Sequence, residues 1–427
     1  MTASGHQQVQ PGSDVGLSDG PAAAAPVSDG ASSRFLASGD EAGTAPGDRK
    51  FRPDVEGLRA VAVVMVVLYH ANVPKITGGY VGVDVFFVLS GFVITGLLLR
   101  ERAATEKTRL LDFYGRRCRR ILPAATLVIV ATVLAAYHWL GFLSGNSNAQ
   151  MARTASLFYA NFHLISIGTN YLSAQAPPSA LQNYWSLSVE EQFYVVYPTL
   201  FILAALAWSS VSLRLKLAVL LTVGIAASLT WSIHETATNG TAAYFSPLTH
   251  AWELALGGLV AVGSVQLAKL PRGVAIVMSW IGLGGIVWAA FAFTAATAYP
   301  GSAVALPVVA TALVVAGGTV APTWGAEALL RLYPFRWLGK LSYSLYLWHW
   351  PILIIAGQYA AHPLSVKDNL GWVLVALALS IVSYFVVENP IRHWTLLTRS
   401  GVRSIYLGAA LIGVSLGLAS FEIATHP

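Results

Sequence analysis

Long apolar stretches alternate with short polar segments along most of the chain. From Asp54 onward, stretches of about 20 residues, the length that crosses a bilayer as an α-helix, recur eleven times. We place them at 56–74, 80–100, 121–142, 187–208, 215–233, 249–268, 274–297, 303–322, 338–360, 370–388 and 404–423. A twelfth stretch near 153–167 is interrupted by polar residues, and we interpret it as interfacial or re-entrant. The pattern predicts an all-α, polytopic membrane protein with about eleven transmembrane helices.

The first 50 residues differ from the rest of the chain. They consist mostly of Gly, Ala, Ser, Pro and Asp and contain few large apolar residues. Such a segment cannot bury enough apolar surface to order itself, and it lacks the basic start and apolar core of a signal peptide. We therefore predict a disordered cytoplasmic tail over 1–50, a transmembrane domain over 51–400 and an additional C-terminal helix over 401–427.

The distribution of basic residues supports this topology. Of the 26 Lys and Arg residues, only Lys75, Arg153 and Lys367 fall in segments predicted to face outward, and Arg59 lies inside the first span. The remaining twenty-two fall in the tail and in the segments predicted to be cytoplasmic. This asymmetry follows the positive-inside rule, and it predicts a cytoplasmic N-terminus.

Composition excludes several classes of protein. Hydrophobic residues make up 55% of the chain and charged residues 11%, whereas a soluble domain carries about 25% charged residues. A soluble enzyme and a disordered or fibrous protein are both excluded. The net charge of +6 is explained by orienting loops, so no nucleic-acid partner is expected. Cys118 is the only cysteine, which excludes an intrachain disulfide and a cysteine-based metal site, and we expect no metal.

Ionisable side chains inside predicted spans are candidates for function, because a charge at bilayer depth costs at least about 2.5–3.5 kcal/mol. Arg59 and His70 lie eleven residues apart in the first span. Three helical turns separate them, so they share one face at about 16 Å. The alternatives are an arginine that extends to the inner headgroups and a histidine that only packs.

Carboxylates near the outer ends of spans could assist such a histidine. Asp84 begins the second span and could orient the His70 imidazole as a general base requires, or it could cap free N–H groups at a helix start. Glu190 has no evident structural role and is the sharper candidate. Glu191 fits a capping box with Ser188.

Further polar residues occur in later spans and in one cytoplasmic segment. Glu253 is a lone carboxylate in the sixth span, and His349 lies near the middle of the ninth. A basic run at the start of the third span contains Arg116, Arg117 and Arg120. This run is either an orienting anchor or a site for an anionic cofactor, because guanidinium groups suit phosphate.

Five segments in order resemble the acyltransferase-3 family of bacterial membrane acyltransferases. They are DVEGLRAVAVVMVVLYH, GGYVGVDVFFVLSGFVI, FYGRRCRRILPA, WSLSVEEQFYVVYP and SYSLYLWHWP. The first carries the Arg-x10-His spacing of Arg59 and His70, and the third the Arg-x-x-Arg of Arg117 and Arg120. The resemblance runs from about Phe51 to Arg392.

The resemblance implies a multi-pass protein of the bacterial inner membrane that transfers an acyl group, commonly acetyl, from acetyl-CoA or another acyl-CoA. The acceptor would be a sugar hydroxyl of an envelope glycan or glycolipid. His70 would be the catalytic histidine, assisted by Asp84 and Glu190. The remaining expected residues bind the donor (Arg59, Arg117, Arg120, Arg116) or the acceptor (Glu253, His349, Tyr194, Trp185). One departure is His250, where many members carry Arg.

Two questions stay open at this point. His70 acts either as a general base or as a nucleophile that forms an acyl-histidine. A carrier or flippase for a lipid-linked or sugar substrate would also bury ionisable groups, and a membrane scaffold would need only the basic loops. Carriers are often built from repeated halves, and the sequence has no evident internal repeat.

Overall fold

The computed structural model describes residues 52–168, 177–207, 210–320 and 323–426. The tail that the sequence predicts over 1–50 lies outside these ranges. The described residues form helices and no strands, which confirms the all-α class. The helices are α1 (Pro53–His70), α2 (Gly82–Thr105), α3 (Leu110–Ser156), α4 (Ala160–Gly168), α5 (Tyr184–Leu206), α6 (Leu213–Thr238), α7 (Gly240–Phe245), α8 (Pro247–Val262), α9 (Ser264–Leu267), α10 (Arg272–Ala292), α11 (Ala305–Gly317), α12 (Glu327–Leu330), α13 (Tyr333–Ala360), α14 (Val366–Ser383), α15 (Asn389–His393), α16 (Thr395–Thr398) and α17 (Gly401–Thr425). A 3₁₀ turn over Gly79–Val81 precedes α2, and a π-helical turn over Tyr384–Glu388 joins α14 to α15.

Each of the eleven predicted spans coincides with a helix, and the twelfth stretch overlaps the end of α3 and the short α4. In the part of the chain that the structure describes, seven helical segments are long and apolar enough to cross a membrane: Gly79–Thr105, α3, α5, α6, α10, Val366–His393 and α17. The predicted spans in α1, α8, α11 and α13 are outside this set, because these helices are shorter or more polar. A multi-pass membrane protein is confirmed, while the count of eleven and the cytoplasmic N-terminus stay predictions.

Helix α3 is 47 residues long and is interrupted by one break. Gly141 has φ 78° and ψ 178°, a conformation open in practice to glycine alone. At 1.5 Å per residue a straight helix of this length would measure about 70 Å, more than twice the hydrocarbon thickness. The break therefore ends the spanning part of α3 close to the predicted boundary at residue 142.

Helix α1 lies inside the bundle, against α2 and α13. Its residues Leu58, Ala62 and Val66 are fully buried. Small residues bring the backbones of crossing helices together, as is usual between membrane helices. At the α2–α8 crossing, a Cβ built on Gly91 would lie 1.8 Å from the carbonyl oxygen of Leu254, and one built on Gly257 would lie 1.9 Å from that of Val88.

Replacing Gly257 by alanine is expected to destabilise the protein by about 1–3 kcal/mol or more, because the added methyl group would force α8 away from α2. Gly224 in α6 is the matched control, since a Cβ there would meet nothing within 4 Å. Thermal unfolding in detergent should show a lower midpoint for Gly257→Ala and an unchanged or higher midpoint for Gly224→Ala. Equal midpoints would contradict the close crossing.

Candidate active site

Two histidine side chains meet at one end of α1. His70 is the last residue of α1, and His349 is buried in α13. The Nδ1 atom of His70 lies 3.0 Å from the Nε2 atom of His349. The ring centroids are 5.2 Å apart and the ring planes differ by 17°, as expected for two imidazoles joined edge to edge by an N–H···N hydrogen bond.

The backbone of α13 determines which nitrogen atoms of this pair carry hydrogen. His349 Nδ1 lies 3.1 Å from the carbonyl oxygen of Leu345, and a carbonyl oxygen can only accept, so His349 Nδ1 must donate. In neutral His349 the Nε2 atom then accepts the hydrogen bond from His70 Nδ1. This arrangement leaves the Nε2 atom of His70 without hydrogen, which is the state of a general base.

His70 lines an open pocket of about 450 Å³. Trp350 forms one side of the pocket, with its ring edge-on to that of His70 at 4.6 Å between centroids. Asn72, His362 and Asn369 supply polar groups, and the rest of the lining is largely apolar. Since the pocket reaches the surface, the His70 imidazole is accessible to a small polar group from this end of the bundle.

The structure corrects the expected partners of His70. The sequence suggested that Asp84 or Glu190 orients its ring, but the Asp84 carboxylate accepts a hydrogen bond from the Tyr299 hydroxyl. Glu190 Oε1 accepts hydrogen bonds from Ser90 Oγ at 2.8 Å and from Tyr194 at 2.7 Å. His349 takes the orienting position instead, because α13 packs directly against α1.

Glu190 and Glu191 form a second cluster around Arg117. The Arg117 guanidinium contacts Glu191 Oε1 at 2.5 Å and Glu190 Oε1 at 3.4 Å, and it stacks over the Tyr194 ring at 3.7 Å. Tyr194, which the sequence placed at the acceptor site, lies in this cluster, and its role there stays a prediction. The capping box is also wrong: α5 begins at Tyr184, and Ser188 donates to the Tyr184 carbonyl oxygen inside the helix.

Three guanidinium groups gather near the opposite end of α1. Arg59 Nε donates to Ser342 Oγ at 3.1 Å, whereas Arg120 has no hydrogen-bond or ion-pair partner among the described residues. The charges of Arg59, Arg120 and Arg392 act on one another and on the buried carboxylate of Glu388. Glu190 and Glu56 also act on Arg59, and Glu191 acts on Arg120, so carboxylates balance part of this charge. The Arg120 guanidinium keeps its N–H donors available for an anion.

Other predicted residues lie elsewhere. Arg116 is exposed and pairs with Glu101 at 2.8 Å, away from the cluster that contains Arg120. Trp185 is only 6% exposed and packs among the rings of Phe87, Tyr244, Phe245 and His250. Glu253 is fully buried beside His250. Trp185 and Glu253 are absent from the lining of the His70 pocket.

Sequence reasoning missed Glu388, Arg392 and Trp350. Glu388 accepts a hydrogen bond from Ser344 Oγ at 2.7 Å and ends the π-helical turn. Such turns occur frequently at functional sites, but their single extra residue leaves no mark in the hydrophobic pattern. Arg392 was counted only as a cytoplasmic charge. Trp350 directly follows His349, and tryptophan in a membrane span is commonly an interfacial residue, so its type gave no signal of a site.

These features define a multi-pass membrane protein with a hydrogen-bonded histidine pair at one end of α1 and a basic cluster near the other end. The family model described as "Acyltransferase domain" matches residues 52–388. The chain therefore belongs to the acyltransferase-3 family, as the five segments indicated.

Several curated proteins are similar to the chain. Peptidoglycan O-acetyltransferase OatA of Listeria monocytogenes is 30% identical over 360 residues, which are 81% of this chain and 56% of that protein. The putative peptidoglycan O-acetyltransferase YrhL of Bacillus subtilis is 31% identical over 358 residues, 80% of this chain and 55% of YrhL. O-acetyltransferase OatA of Staphylococcus aureus is 30% identical over 357 residues, 80% of this chain and 57% of that protein. The chain thus spans about half the length of these relatives. No solved structure matches it significantly.

Proposed function

We propose that the protein is a membrane O-acyltransferase that moves an acyl group, acetyl in the simplest case, from cytosolic acyl-CoA to a hydroxyl of a cell-wall glycan. The observation that carries the proposal is the hydrogen bond between His70 and His349, which leaves the Nε2 atom of His70 without hydrogen in a residue that lines an open pocket. Family membership and the names of the relatives support the reaction class and the glycan acceptor.

The reaction needs one proton acceptor and one path for the leaving thiol. His70 Nε2 removes the proton from the sugar hydroxyl, and the resulting alkoxide oxygen bonds to the thioester carbonyl carbon. When the tetrahedral intermediate collapses, the carbon–sulfur bond breaks and the coenzyme A thiolate takes the proton from the His70 imidazolium. The products are an acyl ester and free coenzyme A. The reaction includes no oxidation or reduction. The proton that His70 takes from the hydroxyl is the proton that it gives to the thiolate.

The donor would approach from the basic cluster. Arg59, Arg120 and Arg392 would bind the phosphates of acyl-CoA, since guanidinium groups bind phosphate through paired hydrogen bonds. Arg59 and His70 are eleven residues apart on α1, about 16 Å along its axis, and the pantetheine arm would carry the thioester over this distance. In the proposed orientation the basic cluster faces the cytosol and the His70 pocket faces outward, which agrees with the distribution of basic residues.

The acceptor would enter the pocket at His70. Trp350 offers a partly exposed ring for the apolar face of a sugar, and Asn72 and Asn369 can form hydrogen bonds to hydroxyl groups. Glu253 and Trp185, expected at this site, would act only indirectly from their buried positions. His349 would be a positioning residue, because it contacts His70 and does not need to touch the substrate.

The decisive experiment uses purified protein in proteoliposomes. Acetyl-CoA labelled in the acetyl group is supplied on one face and soluble cell-wall glycan fragments on the other. Formation of labelled ester, detected by mass spectrometry, with release of one coenzyme A per ester is the expected result. A carrier or flippase would move a substrate without releasing coenzyme A, and a scaffold would do neither.

Substitutions at His349 test its orienting role. His349→Gln is expected to keep activity within about tenfold of wild type, because the amide oxygen can still accept from His70 Nδ1–H. His349→Leu removes the acceptor, so kcat should fall by about 100-fold or more, with an unchanged KM for acetyl-CoA. The two variants should be compared by steady-state kinetics and thermal unfolding. Equal activities of the Gln and Leu variants would show that His349 has only a packing role.

A further inference from the structure

A second group of buried ionisable side chains lies outside the His70 pocket. It consists of Asp84 in the first turn of α2, His250 and Glu253 in α8, and Tyr299 in the segment between α10 and α11. Asp84, His250 and Glu253 are each at most 1% exposed. One ligand atom from each of these three residues lies within 4.8 Å of the other two. The group forms part of neither the pocket nor the arginine cluster.

The hydrogen bonds of His250 determine which of its ring nitrogen atoms faces Glu253 and whether that atom carries hydrogen. His250 Nε2 lies 3.0 Å from the carbonyl oxygen of Tyr244, which can only accept, so Nε2 carries hydrogen. His250 Nδ1 lies 2.7 Å from Glu253 Oε1. In a neutral imidazole this nitrogen presents a lone pair to a carboxylate oxygen, and two acceptors face each other.

The two carboxylates lie close enough to each other to share one proton, but no lysine or arginine among the described residues compensates them. Among the described residues, Asp84 and Glu253 form no ion pair with Lys or Arg, and the buried Oε2 atom of Glu253 has no hydrogen-bond partner. The Tyr299 hydroxyl donates to the Asp84 carboxylate. Two buried carboxylates and an imidazole lone pair around one point form an arrangement that a cation stabilises.

We propose that Asp84, His250, Glu253 and Tyr299 bind a divalent transition-metal ion, with zinc as the best fit. One imidazole nitrogen with oxygen ligands is a donor set that zinc accepts in tetrahedral geometry, at about 2.0–2.2 Å from each ligand atom. The backbone bond from His250 Nε2–H to Tyr244 is the usual second contact of a histidine that binds metal through its other nitrogen. The ion would join α2, α8 and the segment that contains Tyr299.

The group lies near the ends of two helices. Asp84 is the third residue of α2 and His250 the fourth of α8, so both lie at helix ends. Tyr299, a member of the group, and Tyr244, whose carbonyl oxygen contacts His250, are only partly buried. The spacing of His250 and Glu253, three residues on one helix, puts both on one face. This spacing is the one sequence signal that could have indicated the site.

The test measures metal content and does not depend on transferase activity. The full-length protein, purified with a histidine-free tag and without chelator, is analysed for metals by mass spectrometry and then titrated with zinc after chelation. One equivalent of metal per chain is expected, with raised thermal stability on re-addition of zinc. Glu253→Gln and Asp84→Asn should weaken zinc binding by at least about 100-fold. Glu327→Gln, at a buried carboxylate remote from the group whose oxygens also lack partners, should bind like wild type.

Tyr299→Phe keeps the test informative if the carboxylate variants do not fold. It removes only the phenol oxygen and should lower zinc affinity by about tenfold or more. X-ray absorption of the zinc-loaded wild-type protein should show one nitrogen and three oxygen ligands. Wild-type protein that holds no metal after saturation with zinc and washing would overturn the proposal. In that case shared protons would stabilise the carboxylates.

Discussion

His70→Ala is expected to abolish detectable acyl transfer while the protein remains folded. A general base contributes about 10²–10⁴ to the rate, and alanine provides no group that could remove the hydroxyl proton. The variant leaves a small cavity beside the surface pocket, so its cost in stability is modest. Transfer from labelled acetyl-CoA to glycan fragments and thermal unfolding of the same sample should be measured together.

The binding of coenzyme A by the His70→Ala protein provides the control. The arginine cluster lies about 16 Å away along α1, so the affinity for coenzyme A should match that of wild type. A variant that keeps full transferase activity would eliminate His70 as the base. Accumulation of acetylated wild-type enzyme when no acceptor is present would instead favour the acyl-histidine route.

Arg120→Ala and Arg117→Ala are expected to fail in different ways, although the two residues belong to one sequence motif. Arg120 has no partner among the described residues, so its loss should weaken coenzyme A binding by about 10–100-fold and leave stability unchanged. Arg117 is 16% exposed and balances Glu190 and Glu191. Its loss leaves two largely buried carboxylates unpaired, which costs about 3–5 kcal/mol. Calorimetric titration with coenzyme A and thermal unfolding separate the two effects.

Arg116→Ala is the matched control from the same run of residues. Its side chain is exposed and pairs with Glu101, and a surface ion pair contributes at most about 1 kcal/mol. Both coenzyme A affinity and the unfolding midpoint should therefore stay near wild type. If Arg117→Ala unfolds no more easily than Arg116→Ala, the carboxylates around Arg117 are compensated in some other way.

The sequence predicted the helices well because hydropathy reports directly on the surroundings of each segment. The eleven spans coincide with helices, and the relation between Arg59 and His70 required only the helical repeat. The position of the break in α3 could also be predicted, because the apolar stretch ends near Gly141. These properties depend on residues close together in the chain.

Pairing between helices could not be predicted in the same way. Asp84 is only 14 residues from His70 in the chain, but its carboxylate contacts Tyr299, 215 residues away. His349 is 279 residues from His70, and it was expected to bind the acceptor. The Arg117 cluster shows the same limit: the basic run was evident, whereas the carboxylates that neutralise Arg117 lie on α5. Which side chains meet depends on packing, and single-helix periodicity does not contain that information.

The contact between His349 and the peptide oxygen of Leu345 has an electrical consequence for the proposed reaction. A backbone carbonyl oxygen cannot accept a proton from His349 and release it on the other side. The hydrogen-bonded chain from His70 through His349 therefore ends at Leu345 and does not conduct protons across the bilayer. The only proton that moves is the one taken from the alcohol, which travels inward with the departing sulfur. The acyl group moves outward in exchange. Counted formally as an acyl cation, it carries the same single positive charge as the proton that moves inward. Each turnover then moves no net charge across the membrane, and acylation of the cell-wall glycan would not reduce the membrane potential.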